Sequence, residues 1–148
     1  VTPAFIFAAL LWQPYLEQRE QLEADGESSY VASFEGANQV VSRQLSVTSI
    51  PKRFSGPMRD IWSLQYRLPI KSGKKPNTLL QHKRFRAAYD FLLLREESGE
   101  QLDGLGAWWT QFQETAEEDR GELLEQPTAP AKRPRKRRRK PENQAATD

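Results

Sequence analysis

Met58, Ile61, Trp62, Gln65 and Leu68 fall at i, i+3, i+4, i+7 and i+10. That spacing lays an apolar stripe with one polar member along a single face of a helix, and along no face of a strand. The stretch that carries them, residues 48–68, reads TSIPKRFSGPMRDIWSLQYRL. Pro51 closes the preceding helix, and Lys52 and Arg53 occupy a short connection. Gly56 and Pro57 then reopen a helix, because the fixed φ of proline suits a first turn in which its N–H is not needed. Arg59, Ser63, Tyr66 and Arg67 fall on another side of that helix. A basic turn leading into a helix with arginines and a tyrosine on its open side can grip a phosphate backbone and stack a base. The same spacing also describes a solvated face beside an ordinary core stripe.

Helical spacing recurs along the chain. Thr2 can cap a helix whose first position is Pro3. Residues 4–12 of that helix are apolar all round and are expected to be buried on every side. Pro14 kinks or restarts it, and the amphipathic continuation ends near Gly26. Tyr30, Phe34, Ala37, Val41 and Leu45 step by three or four along a second helix, capped by Ser28 or Ser29. Residues 70–78, IKSGKKPNT, read as a loop that carries Lys71, Lys74 and Lys75. Phe85, Ala88, Tyr89, Leu92 and Leu93 make a further core face, with Arg86 and Asp90 available as an i, i+4 ion pair. Leu102, Leu105, Trp109, Phe112 and Ala116 form the last stripe, with Trp108 beside it as a packing residue. The expectation is an all-α fold of about five or six helices over residues 1–118, with residues 1–24 as the exit from an upstream domain. Residues 119–148 are expected to form a disordered basic tail, since periodicity stops near Ala116. Within the tail, residues 132–140 read KRPRKRRRK, eight bases in nine residues, a run that repels itself and cannot fold alone.

Charge is segregated along the chain. Residues 1–42 carry one base against six acids, and residues 43–95 carry twelve bases against two acids. Residues 96–125 carry one base against ten acids, and residues 126–148 carry eight bases against two. The blocks are thus −5, +10, −9 and +6, which hide inside a formal total of +2. Basic blocks of this size fit a polyanionic partner. The chain has no cysteine, which excludes a disulfide framework and a thiolate metal site and fits a reducing cytoplasm. Its longest apolar run, residues 4–12, is far short of the roughly 20 residues of a membrane helix, so no membrane partner is expected.

Taken in order, SIPKRF, PMRDIW, LQYRL, HKRFRAAYDFLLLR at 82–95 and WW at 108–109 resemble the C-terminal region of the bacterial poly(A) polymerase I family. The resemblance runs from about Phe5 to the basic tail. Where that family usually has His-Pro-Lys-Phe, this chain has His82, Lys83, Arg84 and Phe85, and Asn77 stands in place of an aromatic. The resemblance implies a parent protein that adds AMP from ATP to RNA 3′ ends with magnesium and so marks transcripts for decay in the cytoplasm. The family's glycine-serine and paired-aspartate motifs lie in an N-terminal head that no part of this chain matches. What remains is RNA grip without chemistry. The candidate contacts are Lys52, Arg53, Arg59, Tyr66, Arg67, Lys71, Lys74, Lys75, Lys83 and Arg84 in the helical part. In the arm they are Lys132, Arg133, Arg135, Lys136, Arg137, Arg138, Arg139 and Lys140.

Composition independently argues against catalysis by this chain. The only histidine is His82, read as a loop or cap residue, and there is no glycine-rich phosphate loop and no H-E-x-x-H. Metal-assisted nucleotidyl transfer needs clustered carboxylates, and the nearest set, Glu23, Asp25 and Glu27, straddles a helix end. No catalytic residue, metal ligand or cofactor is therefore expected here, with ATP and Mg2+ left to the parent. Single-stranded RNA 3′ ends are the expected partner, with RNA-decay proteins as further ones. The alternative is a helical protein-interaction module whose basic tail docks acidic partners. Interleaving of Arg59, Tyr66 and Arg67 suits RNA, whereas a protein dock exposes an apolar patch.

Overall fold

The computed structural model describes residues 1–126, which form seven α-helices and one 3-10 helix. The count exceeds the expected five or six because the opening helix divides and a short helix forms inside the expected loop. α1 (Pro3–Leu10) and α2 (Trp12–Ala24) are one run broken at Leu11. Pro14 has no N–H to offer the Leu10 carbonyl, and Leu11 relaxes to φ −99°, ψ 6°. Thr2 Oγ1 caps α1 by accepting the Phe5 N–H at 3.3 Å. α2 ends at Gly26, φ +102°, where the Glu27 N–H reaches Leu22 O and the Gly26 N–H reaches Glu23 O. Those paired bonds satisfy two end carbonyls and need the left-handed conformation that glycine adopts freely. The chain then reverses into α3 (Ser29–Leu45), capped by Ser28 Oγ on the Val31 N–H.

α2 and α3 pack closely because Gly36 faces the α2 backbone. A Cβ there would lie 3.3 Å from Arg19 N. The inner face of α3 is accordingly made of small residues, Ala32, Ser33, Gly36, Ala37, Val40 and Val41. This corrects the expected stripe: Ala37 and Val41 are buried, but Tyr30, Phe34 and Leu45 are exposed. A close helix pair has no room for large rings at the contact, so they stand at its edge. The opening helix also differs from expectation. Ala4, Ala8 and Trp12 are buried, whereas Ile6 is 49% and Leu10 70% exposed, since only one side of α1 meets other elements of the chain.

α4 (Lys52–Arg67) is the hub, packing against α1, α3 and α6. Lys52 and Arg53 lie in its first turn, not in a connection, and Pro57 sits inside the helix. Helix persists through the proline because Gly56 precedes it; without a Cβ, the residue before proline escapes part of the clash that bars α conformation. α5 (Lys75–Leu80) replaces the second half of the expected 70–78 loop, with Pro76 in its first turn. α6 (Phe85–Glu97) and α7 (Leu105–Glu114) follow. Among the described residues no helix is long and apolar enough to cross a membrane.

Two core clusters meet along α4 and α6. The first gathers Met58, Ile61 and Trp62 with Trp12, Tyr15 and Phe91. The second gathers Leu64 and Leu68 with Phe85, Leu92, Trp109 and Phe112. The one polar member of the α4 stripe, Gln65, is where a polar network threads the clusters. Its Nε2 donates to Ile61 O and Ala88 O, and its Oε1 accepts from Arg95 Nη1 at 3.0 Å. Arg95 also binds Glu100 through Nε and Nη2 and lies 4.7 Å from the centre of the Trp12 ring. Glu100 Oε1 accepts the Trp12 Nε1–H at 2.7 Å. Removing the guanidinium leaves Gln65 Oε1 and the Glu100 carboxylate short of a partner. Arg95→Ala is therefore expected to cost about 2–3 kcal/mol in urea unfolding.

Order continues past residue 118. A 3-10 helix, Glu117–Leu123, folds back on α7. Arg120 Nε donates to Phe112 O and Thr115 O, carbonyls that the end of α7 leaves open. Trp108 Nε1 donates to Leu123 O, and Leu123 and Leu124 pack on the second cluster. The tail boundary expected at 119 thus moves to at least 126. These ties run from side chains to carbonyls and leave no periodic trace in the sequence. The basic run 132–140 lies outside the described residues.

Candidate functional site

A groove of about 650 Å³ opens between α3, α4 and α5. From α4 it takes Arg59, Ser63, Tyr66 and Arg67, the side expected to face outward, and from α5 it takes Lys75. α3 contributes Tyr30, Phe34 and Asn38. The aromatics are there because the small inner face of α3 expels them: Tyr30 is 67% and Phe34 61% exposed. Tyr30 meets Tyr66 edge-on, with centroids 6.2 Å apart, so one ring from each wall joins across the groove. Elsewhere cations cover rings, as Arg53 covers Phe54, Arg86 covers Tyr89 and Arg120 covers Phe112. Among the described residues no such cation sits over Tyr30, Phe34 or Tyr66.

Three cations face one carboxylate in the groove, since Asp60 also lines it. Asp60 lies 3.9 Å from Arg84 Nε, a loose, half-exposed ion pair without a hydrogen bond, so the groove still carries a net positive charge. Arg59 Nε is shielded from solvent and has no acceptor among the described residues. A buried unpaired donor on a cation is costly, and an anionic oxygen entering the groove would relieve it. His82 also lines the cavity while its Nδ1 accepts the Arg84 N–H at 3.0 Å, the loop-capping role its position suggested.

The remaining candidates separate into other places. Arg53, Lys83 and Arg84 line a second cavity of about 590 Å³ between α1, α4 and α6. Lys71 is tied to Glu125 at 3.6 Å and lies 5.8 Å from the centre of the Trp108 ring, so it belongs to the packing of the chain's last described turn. Lys52 and Lys74 are exposed and line neither cavity. Lys132, Arg133, Arg135, Lys136, Arg137, Arg138, Arg139 and Lys140 lie outside the described residues. Sequence reasoning missed Tyr30, Phe34 and Asn38. The available signal was a competing stripe of small residues, Ala32, Gly36 and Val40, each two positions on from Tyr30, Phe34 and Asn38. Among the described residues no group of three or more His, Cys, Asp or Glu side chains is placed to hold a metal ion.

Residues 25–143 match the family described as Polymerase A arginine-rich C-terminus, a span that contains every wall of the groove. Two poly(A) polymerase I proteins, from Salmonella typhimurium and Escherichia coli O157:H7, are each 40% identical over 98% of this chain. Poly(A) polymerase I of Haemophilus influenzae is 31% identical over 99% of it. The chain spans about a third of the length of these curated relatives, 32% in the first two and 33% in the third. A match over residues 25–143, most of its length, means that this chain belongs to the Polymerase A arginine-rich C-terminus family.

Proposed function

We propose that this chain is the RNA-gripping portion of a cytoplasmic poly(A) polymerase that adds AMP from ATP to RNA 3′ ends and promotes RNA decay. The observation that carries the reading is one groove in which three uncovered rings, Tyr30, Phe34 and Tyr66, stand among Arg59, Arg67 and Lys75. Single-stranded nucleic acid is bound by that combination, cations along the backbone and aromatic faces for the bases. The reaction also needs a divalent ion. The donor set of the described residues does not fit one, so no step is routed through this chain. Incubated with RNA, ATP and Mg2+, the isolated chain is expected to extend nothing; reproducible tail extension would overturn that assignment.

The grip itself is tested by titrating one single-stranded RNA at several salt concentrations. Arg59→Ala and Arg67→Ala should each flatten the logarithmic salt slope by about 0.7, one phosphate apiece. Tyr66→Ala should weaken binding at an unchanged slope, because stacking releases no counterions. If all three bind as the parent does, the groove is scaffold and the arm alone holds RNA. A second reading, docking of RNA-decay proteins, is favoured by exposed apolar side chains outside the groove, among them Ile6 and Leu10 of α1 and Leu45 and Val47 at the end of α3.

A further inference from the structure

Tyr30, Phe34 and Asn38 stand at i, i+4 and i+8, a single row along α3 on one wall of the groove. Successive members are separated by one turn, about 6 Å of rise. A planar base held between two rings occupies two stacking distances, about 6.8 Å at the 3.4 Å spacing of stacked nucleotides. Phe34 has no aromatic partner in the protein, while Tyr30 is steadied edge-on by Tyr66. Asn38 is half-buried, and its side-chain amide makes no hydrogen bond among the described residues. Its amide offers one donor set and one acceptor side by side, the pattern that pairs with the N6–H and N7 of adenine. Opposite this uncharged row run the cations of α4, with the solvent-shielded and unpartnered Nε of Arg59 among them.

From this division of labour we infer that the groove is a nucleobase clamp: Tyr30 and Phe34 hold one unpaired base, Asn38 bonds its edge, and Arg59 and Arg67 hold the flanking phosphates. The inference rests on the RNA-gripping reading and adds that the α3 wall recognises bases, which only a single strand can present. Three cations against one carboxylate suit a polyanion of any kind, so the comparison of base-bearing with abasic strands is what tells a nucleobase from charge alone. Two large aromatics kept in water beside each other are explained by a ligand that covers them.

The test uses the whole 148-residue chain and two fluorescent probes. One is a ten-nucleotide oligoadenylate; the other has the same length and phosphate count with abasic riboses throughout. The unaltered protein should bind the oligoadenylate at least tenfold more tightly, one base–aromatic stack or more. Phe34→Ala and Tyr30→Ala should each lower affinity for the oligoadenylate about tenfold and leave the abasic probe unchanged. Asn38→Ala should do so by about threefold, and its loss should be smaller with oligouridylate. Tyr30 and Phe34 are exposed and the Asn38 amide bonds no described side chain, so thermal melts should be nearly unaltered, and Phe34→Trp should restore the affinity that Phe34→Ala loses. The clamp is overturned if Phe34→Ala leaves the oligoadenylate unaffected, or weakens both probes alike. Arg59→Ala separates the two levels. If it weakens both probes while the ring variants do nothing, the groove holds RNA by phosphates and only the clamp is wrong. If it too is without effect, the RNA-gripping groove fails with it.

Discussion

Trp62→Ala is expected to destabilise the chain by about 4–5 kcal/mol, the largest stability effect of any single substitution in α4. Trp62 has no exposed surface and stacks on Tyr15 with centroids 4.7 Å apart and planes 10° from parallel. Its removal opens a cavity that Tyr15, Met58 and Val41 cannot close, because each belongs to a different helix fixed by its own contacts. The indole also has a polar task. Its Nε1 donates to Ala8 O at 3.1 Å, one of the carbonyls left open where α1 breaks before Pro14. Truncation strands that carbonyl in the interior, which adds to the cavity cost. Trp62→Phe keeps most of the packing and loses only the donor, so it should cost about 1–3 kcal/mol. Urea unfolding followed by circular dichroism measures both. A loss below about 1 kcal/mol for the alanine variant would mean that Trp62 does not organise the first cluster. RNA affinity should fall only in proportion to the unfolded fraction, which distinguishes Trp62 from the groove-facing Tyr66 one turn away.

The difference between Trp62 and Tyr66 was legible in the sequence, because α4 meets other elements along one well-marked stripe whose Met58, Ile61, Trp62, Gln65 and Leu68 are all buried. α3 was not. Two stripes overlap on it, one large and aromatic, one small, and hydropathy alone prefers the aromatic. Interhelical distance decides otherwise: Gly36 brings α2 so close that only the small stripe fits, and Tyr30 and Phe34 are left exposed in the groove. The cations and Tyr66 of the groove were therefore named, while Tyr30 and Phe34 on its α3 wall were misread as core. The fold's polar fastenings were hidden for a different reason. Arg95, Glu100 and Arg120 are charged residues in or beside an acidic block, and nothing in their spacing shows that they face Gln65, Trp12 and the end of α7. Such contacts join residues far apart in sequence, or bind a side chain to a carbonyl, so no local period records them.

Deleting residues 132–140 is expected to weaken binding to long single-stranded RNAs alike whatever their base sequence, and by more than any groove substitution. The run supplies eight point charges, and each phosphate neutralised on a single strand contributes about 0.7 to the logarithmic salt slope. Loss of roughly five such contacts flattens the slope by about 3.5 units. Counterion release fades toward molar salt, so that slope corresponds to a deficit on the order of 10³-fold at 0.1 M, shrinking to little near 1 M. The origin of the arm is fixed by the fold. The Glu125 N–H bonds Lys71 O at 3.1 Å and the Glu125 carboxylate pairs with Lys71, which roots the arm on the turn that leads into Lys75 and the groove. From Gln126 to Lys132 is six residues, a reach of at most about 20 Å. Arm and groove can thus share one RNA, the second contact being made at high effective concentration. The arm deletion should then cost a twenty-nucleotide RNA far more than a four-nucleotide one that the groove alone can fill. Tyr66→Ala should cost both equally, with no change of slope. If the deletion leaves the slope intact, the arm's charges do not meet phosphate. If it weakens the short and the long RNA by the same factor, arm and groove do not act on one strand.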